Sequence, residues 1–318
     1  MIFRQRSMHS RVVRGTALLS LAWFSAPAQC TEGGASAYAV GVETNLAGLM
    51  VPEGLHTFLY YQHYNATRSK DNAGNDNARL AYFETEVNTV ALRLSYVWPG
   101  IQFLGASIET RLGVPIPSVD LSLGIARSAA LGPLDRSGSK TGMADLNFSP
   151  LLFGWHGSSL HQIAGFELTL PTGGFDANAP VNLGRNYRGF APLYAATWLL
   201  HNKWQLSAKA RYQINSPNRA TNYRSGDELS FEYSAGFIVS PDLALGINGY
   251  LYRQMTDDRQ AGASVNGNGN RGRVQAIGPY LSFNLAPRMA VMVKLQAEYG
   301  ARNRPEGTRL WVQTKVPF

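Results

Sequence analysis

From Trp204 to Asn215 the chain alternates residue by residue. Trp204, Leu206, Ala208, Ala210, Tyr212 and Ile214 form one set, and Gln205, Ser207, Lys209, Arg211, Gln213 and Asn215 the other. Successive side chains of an extended strand face opposite sides, so this stretch is a strand with one apolar and one polar face. The same period of two recurs over 228–239, 289–299 and 308–318. Alternation alone suits a soluble sandwich as well as a membrane sheet, so the connections have to decide.

Twelve strands are predicted near 55–65, 83–97, 102–113, 145–153, 160–170, 189–200, 204–215, 228–239, 243–255, 273–285, 289–299 and 308–318. Short turns are expected at Trp98-Pro99-Gly100, 154–159, 201–203, Ser240-Pro241-Asp242 and Ala286-Pro287-Arg288. Long polar links fall at 66–82, 114–144, 171–188, 216–227, 256–272 and 300–307. In the second of these, Val119, Leu121, Leu123 and Ile125 alternate too, as a strand within a long loop would. Short turns on one rim, long loops on the other and an even strand count define a transmembrane antiparallel β-barrel of the bacterial outer-membrane type. Closure leaves no unpaired backbone edge in the lipid. Only 16% of the 318 residues are charged, against about 25% in an ordinary soluble chain, and beyond the N-terminus no apolar run is long enough for a membrane helix.

Residues 1–28 read as a signal peptide: Arg4, Arg6, Arg11 and Arg14, an apolar run from Gly15 to Phe24, then Ala26-Pro27-Ala28. Pro27 and Gln29 break the pattern expected before a lipid-modified cysteine at Cys30. Removing 1–28 takes away four arginines and no acid, so the formal charge of +8 falls to +4. The excess charge belongs to the export signal and is no sign of an acidic partner. Residues 29–54, small and apolar, are expected to be an N-terminal leader or a plug folded into the lumen, and 55–318 the barrel. Phe318, an aromatic closing an alternating strand, is the expected contact of the barrel-insertion machinery.

With the apolar faces on lipid, the opposite parity turns inward. Basic and acidic residues are nearly balanced there, which favours ion-pair bracing over a strongly ion-selective field. The expected lumen or substrate path comprises Tyr38, Phe58, Tyr60, Tyr64, Arg93, Arg111, Lys209, Arg211, Tyr252 and Trp311, a narrow route between bulky rings.

Several motifs bear on chemistry. Residues 267–272 match G-x-G-x-x-G but open no helix, so the cofactor reading fails and no cofactor is expected. His156 and Ser158 share one short turn without the third group that a triad needs. The six histidines and one cysteine show no metal-ligand spacing. Asp257 and Asp258 open a loop and could bridge divalent ions to lipopolysaccharide, although an ordinary acidic loop explains them better. Lysines and arginines of the mature chain form no basic run, which leaves nucleic acid without a footing.

Nine short motifs, in order, resemble the phenol-degradation meta-pathway (SphA-like) family of Gram-negative outer-membrane proteins. They are Glu32-Gly33-Gly34 with Tyr38, Pro52-Glu53-Gly54, Gly154-Trp155-His156, Leu170-Pro171-Thr172-Gly173, Asn182-Leu183-Gly184-Arg185-Asn186-Tyr187, Thr221-Asn222-Tyr223-Arg224-Ser225-Gly226, Thr256-Asp257-Asp258, Asn270-Arg271-Gly272-Arg273-Val274 and Asn303-Arg304-Pro305-Glu306-Gly307. The resemblance implies an outer-membrane channel for passive uptake of small hydrophobic or aromatic compounds, with lipid and lipopolysaccharide around it. The alternatives are an outer-membrane enzyme of lipase or protease type, and a structural or adhesion barrel.

Overall fold

The alternating segments form long strands. The structure, a computed structural model, describes residues 36–201, 203–286 and 289–316. The expected signal peptide, the first residues of the leader and Phe318 lie outside these. Twelve long strands follow in chain order: β1 (Gly54–Ser69), β2 (Leu80–Phe103), β3 (Ala106–Ile125), β4 (Leu146–His156), β5 (Leu160–Leu170), β6 (Gly189–Leu200), β7 (Trp204–Asn215), β8 (Glu228–Ser240), β9 (Leu243–Gln254), β10 (Arg273–Ala286), β11 (Met289–Arg302) and β12 (Pro305–Val316). Each pairs antiparallel with its sequence neighbours, and β1 also pairs β12, with Tyr60 opposite Gln313 and His63 opposite Leu310. The sheet is closed into a transmembrane barrel.

Its burial is inverted relative to a soluble protein. Leu59, Val90, Leu206, Phe231, Ile247, Leu251, Leu281 and Leu295 are exposed on the outside, whereas Glu109, Lys209, Arg211, Gln213, Glu232, Lys294, Gln296 and Arg309 are buried inside. An apolar outer band around a polar interior is the pattern that lipid selects. Near the short turns, Trp98, Phe103, Trp198 and Trp204 are exposed, and Tyr96 meets Trp98 edge-on at 5.0 Å, as Trp204 does Phe237. This ring of aromatics suits a headgroup boundary.

Three connections differ from the sequence expectation. The turn expected at Trp98-Pro99-Gly100 is a strand irregularity, with the β2–β3 register slipping between Val97 and Gln102. The reversal comes at Leu104-Gly105, both at positive φ (49° and 75°), as a two-residue turn matched to strand twist demands. Val119 to Ile125 continue β3 and pair with β2, so the two strands extend together far along the loop side. The loop expected at 300–307 shrinks to Asn303 and Arg304 between β11 and β12.

Residues 36–53 run inside the barrel through short turns, closed by Val42 N–H to Ala39 O (3.2 Å) and Leu49 N–H to Leu46 O (2.9 Å). Tyr38 and Val40 pack on Tyr250, Tyr252, Val274, Ala276 and Ala301 of the inner wall. Met50 packs on Val97, Leu152, Ile163, Leu193 and Ala195 nearer the short turns. Gly54, at φ 106°, turns the chain from lumen into wall, a conformation glycine adopts without steric penalty.

Candidate functional site in the barrel lumen

Strand parity decides which side chains reach the lumen. Odd-numbered residues of β6, β7 and β12 and even-numbered residues of β8 and β11 point inward, and these carry polar groups that meet residues 36–53. Glu232 of β8 accepts Gly41 N–H and Glu43 N–H, both at 2.8 Å. Lys294 of β11 donates to Gly41 O (2.9 Å), Val42 O (2.8 Å) and Thr44 Oγ1 (3.2 Å). Gln296 donates to Gly41 O at 3.0 Å, Gln313 to Val42 O at 2.8 Å and Arg309 to Val40 O at 3.1 Å. Ser207 and Thr197 hydroxyls accept Ala47 N–H (2.9 Å) and Gly48 N–H (3.0 Å). A buried backbone group needs a partner; here wall side chains supply it where a neighbouring strand ordinarily would.

Glu43 lies at the centre. Its carboxylate takes Arg93 Nη1 at 2.6 Å, Arg111 Nη1 at 2.8 Å and Lys209 Nζ. Burial alone would raise the carboxyl's pKa, but the cations of Lys209, Arg111 and Arg93 together hold it well below the usual glutamate range. Lys209 also donates to Tyr38 Oη at 3.0 Å, and the Arg211 guanidinium lies 4.3 Å from the Tyr38 ring centroid. Arg211 pairs with Glu167 at 2.9 Å and Arg309 with Glu298 at 3.3 Å. The wall cations are thus braced by carboxylates of both wall and inner segment.

Beside this cluster is a cavity of about 110 Å³, bounded by Tyr38, Ala39, Val42 and Glu43 on one side and by Tyr60, Gln62, Arg93, Arg111, Gly113, Asn147, Ser149 and Trp311 of the wall on the other. Phe58 stands behind it, with the Arg93 guanidinium 4.1 Å from its ring centroid. Of the ten residues expected along a lumen path, Tyr38, Phe58, Tyr60, Arg93, Arg111, Lys209, Arg211 and Trp311 gather around the Glu43 cluster and its cavity. Tyr64 and Tyr252 sit towards the long loops instead. Tyr64 donates to Glu298 at 2.9 Å, and Tyr252 lies under Arg304 at 4.0 Å.

Asp145 precedes β4 and accepts Gly173 N–H (3.0 Å) and Arg185 N–H (2.7 Å), tying two loop segments together. Asp258 is likewise internal, accepting Gly226 N–H (2.7 Å) and Tyr223 O–H (2.6 Å), while Asp257 is held by Arg271 at 2.6 Å. The His156 ring contacts that of His161, Nδ1 to Nδ1 at 3.2 Å. Glu43, Glu232 and Lys294 were missing from the expected path. The first had a legible signal, for Glu43 is the sole charged residue between Gly33 and Pro52.

A closed twelve-stranded barrel with an apolar exterior and a charged, segment-filled interior defines a transmembrane β-barrel of the outer-membrane class. The chain belongs to the family described as "Putative MetA-pathway of phenol degradation", whose model matches residues 66–314. The COG4313 outer membrane channel from Pseudomonas putida has the same fold at 20% identity, with a TM-score of 0.70 over 85% of this chain and 97% of that one. Similarity is weaker to the beta domain of the Bordetella autotransporter BrkA (10% identity, TM-score 0.48, 84% and 100% covered). It is weaker still to the CymD monoaromatic hydrocarbon channel (7%, 0.43, 85% and 89%). No curated protein sequence gives a significant match.

Proposed function

We propose that this barrel is an outer-membrane channel for passive uptake of small hydrophobic or aromatic compounds, with residues 29–54 as a lumen plug. The observation that carries the reading is the cavity between Tyr38, Tyr60 and Trp311 at the inner segment. Its volume of about 110 Å³ is of the order of the roughly 150 Å³ void that accepts benzene in an engineered protein core. Membership in a family described by phenol degradation supports aromatic compounds as cargo. Passage along the lumen runs past residues 36–53, so uptake entails their displacement and no covalent chemistry. In the same reading residues 1–28 direct export, Phe318 ends the insertion signal, and lipid and lipopolysaccharide surround the exposed apolar band.

Deleting residues 31–48 raises single-channel conductance in planar bilayers if the segment plugs; unchanged conductance removes the plug. Uptake of a labelled aromatic by a strain lacking the protein, with liposome swelling as the cell-free counterpart, tests the channel. Normal uptake of every aromatic and aliphatic compound tried overturns that reading.

A further inference from the structure

The three cations on Glu43 come from three strands: Arg93 from β2, Arg111 from β3 and Lys209 from β7. Arg111 has a second carboxylate, gripping Glu109 through Nε and Nη2, both at 3.0 Å. Arg93 and Lys209 do not: among the described residues their ion pairs are with Glu43 alone. The wall therefore carries two cations, Lys209 buried and Arg93 partly so, whose direct ion-pair partner resides on a segment outside the sheet. Charges enclosed in this way are strongly destabilising once the partner is withdrawn. Arg93 Nε is in addition buried without a hydrogen-bond partner, and so is Asn147 Oδ1 across the cavity. The guanidinium of Arg93 rests on the faces of Phe58 and Tyr60, at 4.1 and 5.6 Å from their centroids, which sets an aromatic surface directly beside the positive charge.

We propose that Arg93, Arg111 and Lys209 form a carboxylate-binding subsite that Glu43 fills as an internal ligand, and that small aromatic carboxylates compete with it. The incoming carboxylate replaces that of Glu43 on the cations, and its ring enters the cavity between Tyr38, Tyr60 and Trp311. A neutral aromatic exchanges less readily, because it offers Arg93 and Lys209 no direct partner in place of Glu43. The substrate thus supplies the charge that lets the segment leave. This rests on the channel reading above and names a substrate class within it.

The test is titration calorimetry of the full chain in detergent with phenylpropionate and with its neutral counterpart phenylpropanol. Wild type binds the acid more tightly than the alcohol. Glu43→Gln removes the competitor and binds the acid about tenfold tighter or more, the worth of a charge-assisted hydrogen bond. Arg93→Gln and, independently, Lys209→Gln lose acid binding while keeping the heat-modifiable gel mobility of a folded barrel. Equal binding of acid and alcohol, or a Glu43→Gln variant that binds the acid no tighter than wild type, overturns the proposal. Liposome swelling separates this from the channel reading. If acid and alcohol both enter through the barrel at equal rates and bind with equal affinity in the calorimeter, only the carboxylate subsite falls. If neither enters, even with residues 31–48 deleted, the channel reading falls with it.

Discussion

Replacing Gly48 by alanine sets one methyl carbon against the barrel wall. An ideal Cβ there lies 2.5 Å from Thr197 N and 2.6 Å from His161 O. These residues face each other across β5 and β6, so neither atom yields without opening the ladder. Relief comes from lifting the turn by about 1 Å, to ordinary carbon contact distance. That movement stretches Gly48 N–H to Thr197 Oγ1 (3.0 Å) and Ala47 N–H to Ser207 Oγ (2.9 Å). Two hydrogen bonds at about 0.5–1.5 kcal/mol each and overpacking at about 1–3 kcal/mol together weaken docking of the segment by about 2–6 kcal/mol. At about 1.4 kcal/mol per decade, the lower figure shifts the docked-to-undocked ratio roughly 30-fold. Single-channel recording in planar bilayers reads this as a matching rise in time spent at high conductance, and heat-modifiable mobility verifies that the barrel has formed. Leu49→Ala, at an exposed neighbour, leaves the recording unchanged. A Gly48→Ala channel as quiet as wild type refutes both the packing argument and the role given to the segment.

Acidification offers an independent handle on Glu43. Burial opposes its ionisation, but Lys209, Arg111 and Arg93 prevail and depress its pKa in the docked state. A depressed carboxyl contributes docking stability that is complete above the ordinary glutamate range and is lost as pH falls from there through the docked value. Conductance is therefore flat from neutrality to that range and rises in stronger acid; the same rise in Glu43→Gln would show that other carboxylates cause it. On the outer face, Leu295 is 41% exposed in β11 between inward Lys294 and Gln296. Leu295→Arg costs about 2–4 kcal/mol near the bilayer midplane, read by urea unfolding in lipid vesicles, and unaltered stability would place this face away from lipid.

The strands were legible because lipid imposes a parity rule that persists along each of them. Trp204 to Asn215 needs no tertiary information to be read. The boundaries were less so. Pro99 and Gly100 are turn residues by type, yet at Val97–Gln102 they are absorbed as a register slip, and the reversal falls on Leu104, which has no turn preference of its own. Asn303 and Arg304 suffice for a turn because the polar residues around them remain paired strand, a fact set by cross-strand partners. At the site, parity placed Arg93, Arg111, Lys209 and Arg211 inward. What they share could not be read, since Glu43 lies 50 residues from Arg93 and 166 from Lys209. Only closure of the barrel brings them to one point.

Glu43 and Gly54 are separated by ten residues, and the segment between them stays tethered to its own barrel even when displaced. Its carboxylate is presented to the wall at an effective concentration in the millimolar range, as short tethers provide. No dilution of the membrane lowers that figure and no change in copy number raises it. A free solute meets the barrel as a rival to a tethered group. Trace amounts leave the barrel occupied by its own chain, and occupancy passes to the solute only where the solute is abundant. The threshold is written into the length of the tether: lengthening it before Gly54 lowers the concentration at which the solute prevails.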